Sequence, residues 1–189
     1  MKRKIGLALV AVLATVSLSA EVKKIFYPNG SLKFEKKYSD GKLNGTSRAY
    51  YSNGSLKTKT NFHNGIVNGM TYGFYIDGSL KAKIPMVNGK INGVQKEYYD
   101  NDQLKSLSTY KMDKLIGTKK IYFSNGNMKA ILHFNDNGEF YGTQKEYYEN
   151  GNMKYRLVVE NGNAKKGRIY EFNGDDRKMN QQDFTNLGF

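Results

Sequence analysis

The stretch YYENGNMKYRLVV, residues 147–159, holds two aromatics, an Asn-Gly pair, an apolar residue, a lysine and an alternating tail. The same wording appears upstream as YFSNGNMKAILHF at 122–134 and as YYSNGSLKTKTNF at 50–62. Self-similarity at a fixed period is the signature of a repeat architecture, and it governs everything else that can be read here. Aligned on the glycine, the units carry Asn29-Gly30, Asn53-Gly54, Asp77-Gly78, Asn101-Asp102, Asn125-Gly126 and Asn150-Gly151. The step is 24 residues four times and 25 once.

Two residues beyond that site stands an apolar residue (Leu32, Leu56, Leu80, Leu104, Met128, Met153), followed each time by lysine: Lys33, Lys57, Lys81, Lys105, Lys129 and Lys154. Ahead of the turn come paired aromatics, and the second of each pair is Tyr27, Tyr51, Tyr75, Tyr99, Phe123 or Tyr148. A second turn follows at Asp40-Gly41, Asn64-Gly65, Asn88-Gly89 and Asn161-Gly162, with KMD and NDNG as variants in units four and five. A third glycine closes each unit: Gly45, Gly69, Gly93, Gly117, Gly142 or Gly167.

Asn-Gly and Asp-Gly between alternating runs signal β-hairpins. In Pro28-Asn29-Gly30, proline presets a type I turn and glycine takes the left-handed position that makes a bulge. Asp102 stands at that site in unit four, a residue that tolerates the left-handed region better than most. After each turn the pattern has period two: Met153, Tyr155, Leu157 and Val159 alternate with Lys154, Arg156 and Val158. That is a strand with one covered face and one wet face. A shorter strand is expected from each third glycine to the aromatic pair, and no helical periodicity is visible beyond residue 20.

The predicted fold is therefore all-β: an elongated, twisted antiparallel sheet of about six tandem hairpin repeats, solenoid-like, each unit too small to stand alone. Units run over about 25–49, 50–73, 74–97, 98–121, 122–146 and 147–171, with a degenerate C-terminal cap at 172–189, all within a single repeat domain at 21–189. At about 4.8 Å per strand the units extend over roughly 55–60 Å. A membrane barrel needs lipid-facing strands of roughly 9–11 residues, longer than these.

The N-terminus reads differently. Lys2, Arg3 and Lys4 precede an apolar run from Ile5 to Val16 and the small-residue segment SLSA, the pattern of a secretory signal peptide at 1–20. The run is shorter than the roughly 20 residues of a membrane span. Cleavage after Ala20 or after Ser19 yields an exported chain, periplasmic, surface-bound or secreted. With no cysteine in the chain, disulfides, thiolate metal sites and lipoprotein processing are excluded.

The unit YY-x-NG-x-L/M-K, continued by F-x-NG-x-x-x-G, resembles the bacterial variant of the MORN repeat (membrane occupation and recognition nexus), over residues 25 to about 174. The resemblance implies tandem hairpins in an extended, curved sheet that serves as an interaction module, in some cases at phospholipid-rich membranes. Some bacterial members are antitoxin components of toxin–antitoxin pairs, a cytoplasmic role at odds with a signal peptide.

Chemistry needs a non-repeated cluster of acids, bases or nucleophiles. The two histidines, His63 and His133, fall at different places in their units and read as exposed surface residues, so no metal site and no cofactor are expected. Glu97 and Glu146 recur in the KEYY motif as cross-strand partners for lysine, not as a catalytic pair. An enzyme is not expected. What remains is surface. The chain has 30 Lys and Arg against 17 Asp and Glu. The lysine series reads either as solubility and edge protection or as a basic stripe for anionic lipid, envelope polymer or an acidic partner. The aromatic column Tyr27–Tyr148 is the candidate contact surface for a protein partner. Nucleic acid is not an expected partner of an exported chain.

Overall fold

The computed structural model describes residues 20–160 and 162–189. The predicted signal peptide lies outside the described residues but for Ala20, and Asn161 of the last second turn lies outside them too. The described chain forms one 17-stranded antiparallel sheet. Its first strands are β1 (Ala20–Phe26), β2 (Leu32–Ser39), β3 (Lys42–Leu43), β4 (Gly45–Tyr50) and β5 (Leu56–His63). Next come β6 (Ile66–Val67), β7 (Gly69–Phe74), β8 (Leu80–Val87), β9 (Lys90–Ile91), β10 (Gly93–Tyr98) and β11 (Leu104–Lys111). The last are β12 (Lys114–Tyr122), β13 (Met128–Phe134), β14 (Gly142–Tyr147), β15 (Met153–Glu160), β16 (Asn163–Tyr170) and β17 (Asp176–Lys178). The two-residue strands β3, β6 and β9 pair with the ends of β2, β5 and β8. Every other strand pairs with the next long strand in sequence, so the sheet grows hairpin by hairpin without a crossover.

Two turns repeat along it. In the first, Tyr27 N–H donates to Ser31 O at 2.8 Å and Gly30 N–H donates to Tyr27 O at 2.9 Å. Gly30 has φ +83°, which an L side chain adopts only at a cost. The register then slips by one residue between Ile25 and Phe26, the bulge expected from the sequence. Asp102 holds the same place in unit four with φ +62°. The second turn is a two-residue hairpin with both residues in the left-handed region, such as Asp40 (φ +50°) and Gly41 (φ +72°), the type I′ geometry that matches strand twist. Unit four builds this turn from Met112 (φ +50°) and Asp113 (φ +71°), without glycine. Asp113 recovers part of the cost: its carboxylate accepts from Ile91 N–H at 2.6 Å in the neighbouring unit. Met112, whose side chain is exposed, donates its N–H to Asn92 Oδ1 at 3.3 Å in the same neighbouring unit.

Unit five departs in a way its extra residue explains. Its NDNG loop copies the first turn, with Asn135 N–H donating to Glu139 O and Gly138 N–H to Asn135 O. Only the bridge Phe134–Phe140 continues the ladder there. Buried Gln144 closes the gap: its amide donates to His133 O and Tyr141 O, and its Oε1 accepts from His133 N–H at 2.7 Å.

The two faces differ. The residues that are buried, Ser47, Ser106, Ser108, Ala130, Gln144, Leu157 and Val159, share one face by their cross-strand registers. In a single-layer sheet a side chain is hidden only where neighbouring strands twist and curl over it, so this is the crowded face. The substantial contacts between elements all join neighbours in the sheet, the nearest-neighbour arrangement of a solenoid.

One expectation needs correction. Beyond residue 20 the sequence shows no helical periodicity, yet α1 (Gln181–Asn186) forms within the C-terminal cap. It arises from capping chemistry: Asn180 accepts from Asp183 N–H, while Asp183 accepts from Asn180 N–H. Arg177 clamps Asp183 with two hydrogen bonds, at 2.6 and 2.9 Å. That clamp, then the Asn180 N–H bond, hold the Asp183 carboxyl down at about 2. Met179 lies against Gly167, where a Cβ would collide with its Sδ; this third glycine serves close packing, whereas Gly45 has φ +89°.

Replacing Met112 by Asn, a residue suited to the left-handed region, is expected to raise stability by about 0.5–1 kcal/mol. Denaturant unfolding checks it: the midpoint should rise with an unchanged slope.

Candidate interaction surface

Five of the six sequence-predicted lysines meet five of the six predicted aromatics in the structure. Each lysine is the residue that the bulge leaves unpaired, as Lys33 is between Leu32 and Phe34. In units one to five its ammonium lies over the ring of the aromatic at the start of the same turn. Lys33 sits 5.3 Å from Tyr27, Lys57 5.4 Å from Tyr51, and Lys81 5.3 Å from Tyr75. Lys105 lies 5.5 Å from Tyr99 and Lys129 5.5 Å from Phe123. Lys154 instead pairs with Glu146 at 2.9 Å. A cation over an aromatic face contributes about 0.5–1 kcal/mol at exposed sites.

The aromatics are half-buried, and their hydroxyls are committed. Tyr27 donates to Tyr50 O at 2.8 Å, Tyr51 to Phe74 O at 2.9 Å, and Tyr75 to Tyr98 O at 2.8 Å. Tyr99 donates to Tyr122 O at 2.8 Å and Tyr148 to Tyr170 O at 3.1 Å. The first four bonds tie one unit to the next, and the last ties the turn of unit six to β16. Phe123 has no hydroxyl, so this series skips the joint between units five and six. Burial, then the charge of Asp100, raises the Tyr75 phenol. Burial, then Glu146, pushes Tyr155 up to about 12.

Of the two recurring acids, Glu146 does pair with lysine, while Glu97 accepts from Gln95 and Ser106 instead. His63 is exposed at the end of β5. His133 differs from the expectation: it is half-buried, with Nδ1 3.0 Å from Thr118 Oγ1. Among the described residues no cluster of His, Asp and Glu could hold a metal ion.

A second set of cations was not singled out in the sequence. On the face opposite the crowded one, a continuous cross-strand row crosses the sheet. It starts with Lys24 opposite Glu35, then Arg48, Lys59, Tyr72 and Lys83. It continues through Lys96, Leu107, Lys120 and Ile131. It ends with Lys145, Arg156, Arg168 and Lys178. Of its fourteen positions ten are Lys or Arg and one is acidic. Among the described residues only Arg48 and Arg168 in this row hold a carboxylate, Glu35 and Asp176 respectively. The signal existed in the sequence, but it is split between two positions per unit that only strand pairing brings side by side.

Comparison with known families agrees with this geometry. The model of the MORN repeat variant matches residues 22–40, 43–64, 91–112, 115–136 and 140–161. The chain belongs to the MORN repeat variant family. No curated protein matches it. Repeats of this family are commonly protein or membrane-lipid interaction modules, and the family is generally a non-catalytic scaffold. The stretch 65–90, outside the matched segments, keeps the hairpin geometry of the MORN units on either side, including the Tyr75 hydroxyl bond.

Giving Phe123 its missing hydroxyl should complete the series of inter-unit bonds at Tyr147 O. Phe123→Tyr is expected to gain about 1 kcal/mol and Tyr75→Phe to lose about as much. Hydrogen exchange of the amides around units five and six would register the first change, and global unfolding the second.

Proposed function

We propose that this protein is an exported, non-catalytic scaffold that binds a protein partner at the cell envelope or outside the cell. The observation that carries this reading is the crowded face between β2 and β5, where no second layer of the described residues covers the sheet. There Phe34, Phe62, Ala49, Thr58 and Thr60 line a groove of about 180 Å³. Ser47 Oγ is buried at its base without a hydrogen-bond partner among the described residues, as is Thr71 Oγ1 further along the face. A buried hydroxyl left unpaired costs about 1–3 kcal/mol, which a partner's polar group relieves. Aromatics beside unpaired hydroxyls suit the mixed side chains of a polypeptide.

A second reading assigns anionic lipid or envelope-polymer binding to Lys33, Lys57, Lys81, Lys105, Lys129 and Lys154. Four of these, Lys57, Lys81, Lys105 and Lys129, are exposed, which supports it, while their ring contacts give them a structural task as well. An antitoxin-like role is the third, and requires the chain to stay inside the cell.

Capture from an envelope extract at low and at 1 M salt separates the first two. A discrete protein retained at 1 M salt, where the screening length falls to about 3 Å, supports the scaffold. Capture of lipid alone, lost with salt, overturns it. If the lysine series binds lipid, Lys57→Glu, Lys81→Glu and Lys105→Glu together abolish binding to anionic vesicles without unfolding the chain. Unchanged vesicle binding removes the second reading.

A further inference from the structure

We infer that the cationic row and the cleft at its end form a binding site for an acidic polysaccharide carrying one anionic group per sugar. The site lies on the opposite face from the proposed protein groove and does not depend on that reading. It also uses residues other than the bulge lysines.

The row is unfavourable to the fold by itself. Like charges directly opposite on neighbouring strands repel. Here Lys83 faces Lys96, and Lys145, Arg156, Arg168 and Lys178 stand in unbroken sequence. Solubility does not require this arrangement, since interspersed signs serve it as well and avoid the repulsion. The recurring acids are on the other face: Glu97 pairs with Ser106 and Glu146 with Tyr155. Two strands of each unit contribute to the row, so its density is not a single residue copied by repetition.

Its shape selects the ligand. The flanking row on the side of the second turns is largely uncharged, with Thr46 opposite Asn61, Met70 opposite Pro85, and Val94 opposite Thr109. A row of cations one strand apart, bordered on one side by uncharged residues and on the other by the bulge lysines two residues along each strand, makes a narrow band suited to a linear polymer, whereas a bilayer presents its charge over a plane. Positions along the line are about 4.8 Å apart, close to the advance of one pyranose ring along a glycan chain. Nucleic-acid phosphates advance about 3.4 Å along the axis of a duplex and wind around it, so they do not keep to a straight line of cations. Tyr72 lies within the row, with the Lys59 ammonium 5.8 Å from its ring centroid.

At the C-terminal end the row opens into a cleft of about 490 Å³. Arg156, Lys166, Arg168 and Lys178 line it together with Tyr170 and Phe184, and no carboxylate is among its lining residues. That volume lies in the range of small-ligand sites and accommodates a terminal acidic sugar.

The test is equilibrium binding of the purified chain to polygalacturonate, with dextran, linear polyphosphate and phosphatidylglycerol vesicles in parallel. Polygalacturonate should bind most tightly, dextran not at all, and affinity should fall steadily with salt. The combined substitution Lys96→Gln, Lys120→Gln and Arg156→Gln should weaken binding about tenfold or more, with a thermal midpoint equal to or above that of the parent because repulsion is relieved. Lys57→Gln, Lys81→Gln and Lys129→Gln together should weaken binding less than the row triple does, since these lysines border the row and are held over the turn aromatics. The single variants Lys120→Gln and Arg156→Gln should move in the same direction as the triple and guard against a folding defect. Row variants that bind like the parent overturn the inference. So does tighter binding to polyphosphate or vesicles than to polygalacturonate. Capture of a protein at 1 M salt should be unaffected by the row variants, so failure of one reading leaves the other standing.

Discussion

The left-handed residue in the first turn of each unit is the constraint on which the rest of the structure depends. With Gly30 at positive φ, Tyr27 and Ser31 can pair while the register slips by one residue on leaving the turn. The slip leaves one residue unpaired, and that residue is always lysine. In the first five units its ammonium folds back over the ring at the start of the turn, and in the first four the hydroxyl of that ring reaches the next unit. One backbone conformation thus links turn, bulge, ring and neighbour. Change it, and the inter-unit bond loses its geometry along with the turn.

This linkage matters because no unit owns a core. A hairpin of two strands is marginal alone, and the described residues bury only Ala130, Leu157 and Val159 among the apolar ones. Stability therefore resides in joints between units: strand ladders, tyrosine hydroxyls, and Asn side chains such as Asn29 reaching Ser52 O. The joint between units five and six lacks the hydroxyl bond, and in unit five buried Gln144 substitutes for lost ladder pairing. Nearest-neighbour coupling of this kind makes local defects local in effect. The cap ends the array by a different device, with Met179 on Gly167 and a short helix fixed by Arg177 and Asp183.

Much of the fold was legible because its signals are local. Asn-Gly and Asp-Gly spacing marks the hairpins, and period-two alternation marks the covered face. Pro28-Asn29-Gly30 announces its own bulge. The helix was not legible, because six residues held by a capping box carry no periodicity to detect. Of the candidate surface, the lysines and aromatics were visible as columns, but their mutual contact was not, since the bulge moves each lysine out of register. The cationic row was hidden for a geometric reason. Arg48 and Lys59, eleven positions apart, become neighbours only when β4 pairs β5.

The two faces of one sheet have been resolved in opposite senses. On the crowded face, polar and apolar side chains are packed by twist, and cost arises where Ser47 and Thr71 lack partners among the described residues. On the other, ten cations stand in line with few counter-charges, and cost arises from repulsion. A repeat sequence could reduce both costs with single exchanges, such as Glu for Lys at alternate strands or Ala for Ser47. Repetition itself explains neither, because unit-to-unit copying preserves Lys59 and Lys83 but places Leu107 and Ile131 at the same site in the next two units. The uncompensated groups thus mark the surfaces where association with something outside the chain would repay the fold, one by hydrogen bonding and one by charge.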